Sequence, residues 1–209
     1  MTGVDLAATL NPERMAILIV DAQRAFVHEE SPIARDGRDL SPLRETVPRV
    51  RDLVDTGRDA DASIAYTRTV RSPREEHYPE NRYDAVPGIR REGGPLCCLR
   101  GAWDTEYAAG IDPLSAEFEI EKVGYDAFHG TRLDVHLRTA GVDTVVGGGF
   151  MTDVCVEGTL RGAHERGYDV VLAEDACASR SETAHDQTLH FVDSYLGTTA
   201  SVEEIRRAL

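Results

Sequence analysis

The chain reads as an α/β domain built on a mostly parallel sheet. Short apolar runs without polar alternation, such as Ala16-Ile-Leu-Ile-Val20, suit strands covered on both faces. Between them lie stretches with apolar residues every three or four positions, giving the strand–helix alternation of right-handed crossover units. Residues capable of chemistry stand at the ends of several runs, where open parallel sheets place their sites.

Each element has its own signature. The first strand, Ala16–Val20, ends in Asp21. Leu43, Val47, Val50, Leu53 and Val54 trace one face of a helix. Ala62–Tyr66 is a second strand, and Glu117–Lys122 an edge strand closed by Lys122. Leu133 and Leu137 mark a helix that stops at Gly141. Thr144–Gly149 is a strand, followed by the turn Gly149–Cys155 and a helix over 154–166 ending at Gly167. A further strand covers Asp169–Ala173, and a last helix, 181–195, is stopped by Gly197. The stretch 71–114 is rich in Pro and Gly with little periodicity, the mark of a functional loop. With no repeat or linker, the reading is one domain over 1–209, with an N-terminal arm at 1–13 and a long active-site loop region at 71–114.

Composition narrows the partners. The 37 acidic and 23 basic residues leave a net charge of −14, which repels nucleic acid and anionic membranes. No apolar run reaches the roughly 18 residues of a membrane span. The N-terminus lacks the basic and apolar segments of a secretory leader, so a cytoplasmic location is expected. The four cysteines, Cys97, Cys98, Cys155 and Cys177, are then expected as free thiols. Lys122 is the sole lysine among 23 basic residues. An Arg-rich, acidic chain fits a GC-rich genome or a salt-adapted cytoplasm, and neither explains the lysine that remains.

Three residues form a candidate reactive set. Cys155 falls in the first turn of a helix, where the helix dipole favours thiolate, although a small buried packing role suits a cysteine equally. Asp21 is either a helix N-cap or a general base beside a thiol. Lys122 is either a solvated surface residue or a compact cation between carboxylate and thiol.

Asp21-Ala-Gln23-x-x-Phe26, Lys122 with Tyr125-Asp-Ala-Phe128 beyond it, and Gly149-Phe-Met-Thr152-Asp-Val-Cys155 together resemble the isochorismatase-like cysteine hydrolase superfamily. The resemblance spans residues 14–200. It implies a three-layer α/β/α domain around a six-stranded, mostly parallel sheet, and a catalytic triad of Asp21, Lys122 and Cys155. It also implies a cis peptide between Phe150 and Met151, with the Met151 and Cys155 N–H groups forming an oxyanion hole. The implied reaction is attack of the Cys155 sulfur on an amide or ureido carbonyl, departure of an amine protonated by Asp21, and hydrolysis of the thioester.

Metal-binding members of that superfamily carry Asp-x-His after the second strand. Thr69 and Arg71 stand there instead, so no metal and no other cofactor is expected, and neither His77 nor His129 completes a cluster. Arg100-Gly-Ala-Trp103 and the segment from Tyr125 resemble the ureide and N-carbamoyl branch. The expected pocket residues are Gln23, Phe26, Arg68, Trp103, Tyr125, Phe128, Phe150 and Thr152. Arg68 and Arg71 are candidates to clamp a substrate carboxylate; several of the aromatic residues suit the core equally. The alternatives are an isochorismatase-type vinyl-ether hydrolase, a nicotinamidase-like amidase, and a non-enzymatic oligomeric scaffold. The expected partner is a small molecule, and the resemblance implies a homodimer or homotetramer.

Overall fold

The computed structural model describes residues 5–71 and 97–209. Its centre is a six-stranded sheet: β1 (Met15–Val20), β2 (Ser63–Thr69), β3 (Phe118–Lys122), β4 (Thr144–Phe150), β5 (Asp169–Ala178) and β6 (Thr198–Ala200). The spatial order is β3-β2-β1-β4-β5-β6, and every neighbouring pair is parallel. Chain progression reverses between β1 and β4, so a crevice opens beyond their carboxyl ends.

Five longer helices cover the sheet: α1 (Ser41–Asp59), α2 (Leu133–Thr139), α3 (Glu157–His164), α4 (Glu182–Phe191) and α5 (Val202–Ala208). Alternation along β1 sorts them into layers. Met15, Ile17 and Ile19 pack with Leu43, Val50 and Leu53 of α1 and with Ile205 of α5. Ala16, Leu18 and Val20 pack with Leu133 and Leu137 of α2 and with Leu160 of α3. Both faces are fully covered, which is why the run reads apolar throughout. Each fully buried Leu or Ile contributes about 1.5–3 kcal/mol of burial.

The N-terminal arm joins this packing: a short helix, Leu6–Thr9, precedes Leu10, which is buried in the α1-side core. Of the loop region 71–114, residues 72–96 lie outside the described residues, and His77 with them. Its later part is pinned by a parallel bridge between Arg71 and Leu99 and an antiparallel one between Gln23 and Tyr107.

Three boundaries differ from the sequence expectation. β5 continues past Ala173 to Ala178, because the chain bulges and re-enters the sheet with Cys177 opposite Gly149. Cys177 is therefore a strand residue. The helix expected from Val154 begins as a wide π-type turn, Thr152–Val156, before α3. The helix ending near Tyr195 likewise finishes in a π-type turn, Val192–Leu196. No helix among the described residues is long and apolar enough to cross a membrane.

Candidate active site

Three strand ends meet beyond the β1/β4 crevice. Asp21 follows β1 directly and adopts a left-handed backbone, φ 48°. That turn swings its side chain under the end of β2. Oδ1 accepts the Thr67 hydroxyl at 2.7 Å, and Oδ2 accepts the Thr69 hydroxyl at 2.7 Å and Lys122 Nζ at 2.6 Å. Asp21 is thus not a helix cap. Its acceptors face side chains of β2 and β3.

Lys122, the last residue of β3, is completely buried at its side chain, as is Asp21. Nζ spends its three donors on Asp21 Oδ2, the Thr69 hydroxyl at 3.0 Å and the Gly124 carbonyl at 3.0 Å. Burial lowers the ammonium pKa, but Asp21 and the Cys155 sulfur more than offset this, so it titrates above its ordinary value. The solvated-lysine reading is excluded by this burial.

Cys155 lies in the wide turn after β4, and its sulfur is within electrostatic reach of both Asp21 and Lys122. Burial pushes the thiol up to about 12; Lys122 pulls it back and Asp21 adds to the rise. This corrects the expectation of a helix-favoured thiolate. The residue is only 7% exposed, and loss of hydration outweighs the cation beside it. At neutral pH Cys155 is a thiol beside a carboxylate.

The path from β4 into this turn is tightly built. The Phe150–Met151 peptide is cis, and the Met151 carbonyl accepts N–H groups from Val154 and Val156, both at 3.1 Å. Gly149 has φ 114°, and a methyl there would drive into the Val20 carbonyl. Glycine lets β4 approach β1 just before Asp21.

The surrounding residues fall less neatly than the sequence suggests. Gln23 is expected to line the pocket. Instead its buried amide accepts Thr69 N–H at 2.8 Å and donates to the Thr69 and Thr105 carbonyls at 3.1 and 2.9 Å. It clamps the end of β2 to the 97–107 loop. Arg68 is corrected as a carboxylate clamp: it alternates out of phase with Thr67 and Thr69, pairs with Glu119 and Glu121, and lies over Tyr107. Phe26 and Phe150 belong to the α1-side core, opposite Cys155. Phe128 is buried on the Cys155 side, against Tyr168 and Arg166. Trp103 and Tyr125 are exposed, and Trp103 meets His28 edge-on at 4.9 Å. Thr152 is buried, with its hydroxyl 3.0 Å from His185 Nδ1. His129 is exposed, and the described residues contain no cluster of three His, Cys, Asp or Glu able to hold a metal.

Sequence reasoning missed Thr67 and Thr69, the two hydroxyls that fix the carboxylate. Their signal was polar residues at alternate positions near the end of an otherwise apolar strand. It also missed Asp104, whose carboxylate accepts the Cys98 N–H at 2.8 Å and shapes the loop.

Comparison with known proteins places this arrangement. An Isochorismatase domain profile matches residues 15–204. The uncharacterized isochorismatase family protein YecD of Escherichia coli O157:H7 is 32% identical over 145 residues, 58% of this chain and 77% of that protein. The ureidoacrylate amidohydrolase RutB of Methylobacterium radiotolerans is 28% identical over an alignment covering 96% of this chain and 81% of its own. Among solved structures, a cysteine hydrolase from Pseudomonas syringae pv. phaseolicola superposes with TM-score 0.84 at 24% identity, covering 100% of this chain and 98% of that one. N-carbamoylsarcosine amidase from Thermoplasma acidophilum superposes with TM-score 0.72 at 27% identity, covering 91% and 97%. With a profile match over nearly its whole length, the chain belongs to the isochorismatase family of hydrolases.

Proposed function

We propose that the protein is a metal-independent cysteine amidohydrolase that cleaves a C–N bond of a small amide, ureido or N-carbamoyl compound. One observation carries the reading: a buried Asp21–Lys122 pair at 2.6 Å with the buried Cys155 thiol in electrostatic reach of both members. Similarity to proteins named ureidoacrylate amidohydrolase and N-carbamoylsarcosine amidase supports the choice of bond.

The chemistry follows from the charges. Cys155 Sγ attacks the carbonyl carbon while its proton moves to the Asp21 carboxylate. A C–S bond forms, and the carbonyl electron pair becomes an oxyanion held by the Met151 and Cys155 N–H groups. Asp21 returns the proton to the leaving nitrogen, the C–N bond breaks, and an acyl thioester remains. Water, deprotonated by Asp21, hydrolyses the thioester and restores the thiol. Lys122 pairs with the buried carboxylate at rest and balances charge as the adduct forms. A resting thiol suits this cycle, because proton transfer then accompanies attack. The buried Arg71 where metal-binding relatives carry a ligand supports metal independence.

The test is ammonia release from biuret, N-carbamoyl amino acids, ureidoacrylate analogues and nicotinamide. Turnover of a ureide, abolished in Cys155→Ala and retained after chelation, is the expected result. Turnover of isochorismate with none of these amides would overturn the reading.

A further inference from the structure

Arg71 is a buried cation to which the cycle above gives no substrate contact. It stands two positions past Thr69, so it continues the alternation of Thr67 and Thr69, the residues that face Asp21. Its backbone is fixed on both sides: its N–H donates to the Cys98 carbonyl at 2.8 Å, and its carbonyl accepts the Arg100 N–H at 2.9 Å. The residue is 7% exposed. Its guanidinium hydrogen bonds run from Nη1 to the Cys97 carbonyl at 3.1 Å and to Cys97 Sγ at 3.0 Å. Among the described residues no carboxylate pairs with it, whereas Arg58, Arg68 and Arg100 each have one. The Cys155 sulfur lies within electrostatic reach of the same guanidinium.

A buried cation is costly unless an anion accompanies it. In the resting protein the Cys97 sulfur partly fills that role, and a hydrogen bond from Cys98 together with the Arg71 charge holds the Cys97 thiol below its ordinary range despite burial. That contact engages only one corner of the fork. The planar edge of a guanidinium matches a carboxylate bidentately. Lys122 cannot serve a substrate anion, since its three donors are already committed.

We infer that Arg71 is the specificity residue for a substrate carboxylate, gripping it beside the carbonyl that Cys155 attacks. The preferred substrates are then anionic ureides rather than neutral ones. The inference rests on the hydrolase reading only for which carbonyl is attacked.

Two measurements separate them. The first compares kcat/KM for N-carbamoylglycine and the neutral 2-hydroxyethylurea. Wild type should prefer the carboxylate roughly 100-fold, the order of a charge-assisted hydrogen-bonded pair. Arg71→Gln should collapse that ratio mainly through KM, and Arg71→Lys should keep an intermediate ratio. An unchanged ratio in Arg71→Gln, or no preference in wild type, overturns the assignment. The second is calorimetric binding of N-carbamoylglycine to Cys155→Ala, where no turnover occurs. Adding Arg71→Gln should weaken binding more than tenfold; equal binding overturns the assignment even if hydrolysis is established. Arg71-dependent binding without hydrolysis of either urea by wild type supports the assignment and counts against ureides as the bond cleaved.

Discussion

At Lys122 one charge does what its chemical cousin cannot. A compact ammonium satisfies three acceptors in a fully buried space. Arginine would overfill it, at about 1–3 kcal/mol for overpacking, and would present a wide fork where a point charge fits. Lys122→Arg is therefore expected to lower kcat by about 100-fold or more, measured by ammonia release; near-full activity would refute the compact-cation argument. Lys122→Met strands the Asp21 carboxylate and is expected to cost about 3–5 kcal/mol in denaturant unfolding. The pH dependence has a definite sign. The folded pKa of Lys122 lies above the unfolded 10.5, so its contribution is fully present below 10.5 and fades as pH rises through the folded value. Wild type should lose stability on that alkaline limb, and Lys122→Met should flatten it. Lys122 itself was legible as the sole lysine at a strand end. Thr67 and Thr69 were not, because threonine in a strand reads first as β propensity. Gln23 followed the right motif, yet its amide is consumed by backbone groups.

Among the elements, β4 tolerates the least change. Its run Gly147-Gly148-Gly149 lets Leu160, Leu53 and the Val20 backbone approach without a side chain between them. Gly149→Ala is expected to cost about 4 kcal/mol or more, because it combines a steric clash with an unfavourable φ. Gly167→Ala is the control: its φ is 82°, but nothing lies within 4 Å of a methyl there. It should cost only about 1 kcal/mol. Thermal melts of both check the argument, and similar shifts would show that backbone conformation alone decides. β1, β2 and β4 were readable because double-sided burial leaves an unbroken apolar run. The tail of β5 was hidden by Glu174 and Asp175, where the chain bulges out and Asp175 accepts the Val202 N–H at the start of α5. β6 has three residues, Thr198–Ala200, too few to carry a pattern. Pocket residues were hardest to read, because an aromatic near a motif looks the same whether it lines a cavity or, like Phe150, fills the core.

Over the whole molecule, charge is the unbalanced quantity. Surface pairs such as Arg24–Glu106 and Arg138–Asp134 contribute about 0–1 kcal/mol each. They leave a net charge of −14 whose self-repulsion opposes compaction. Screening shortens to about 10 Å at 0.1 M salt and about 3 Å at 1 M. The melting temperature should therefore rise by several degrees between low salt and molar KCl, as followed by circular dichroism. A flat curve would mean that local pairing already neutralises the field. The interior pair Asp21–Lys122 should be indifferent to the same salt, since no solvent reaches it.

The left-handed backbone at Asp21 carries a genetic consequence. Asparagine and glycine are the residues that accept that conformation most readily. Both lie a single base change from an aspartate codon. A mutation there can erase the carboxylate while leaving the chain able to adopt the turn, whereas a change to valine, equally near in the code, strains the backbone as well. Asparagine or glycine at position 21 thus separates the loss of the anion beside Lys122 from any strain in the turn.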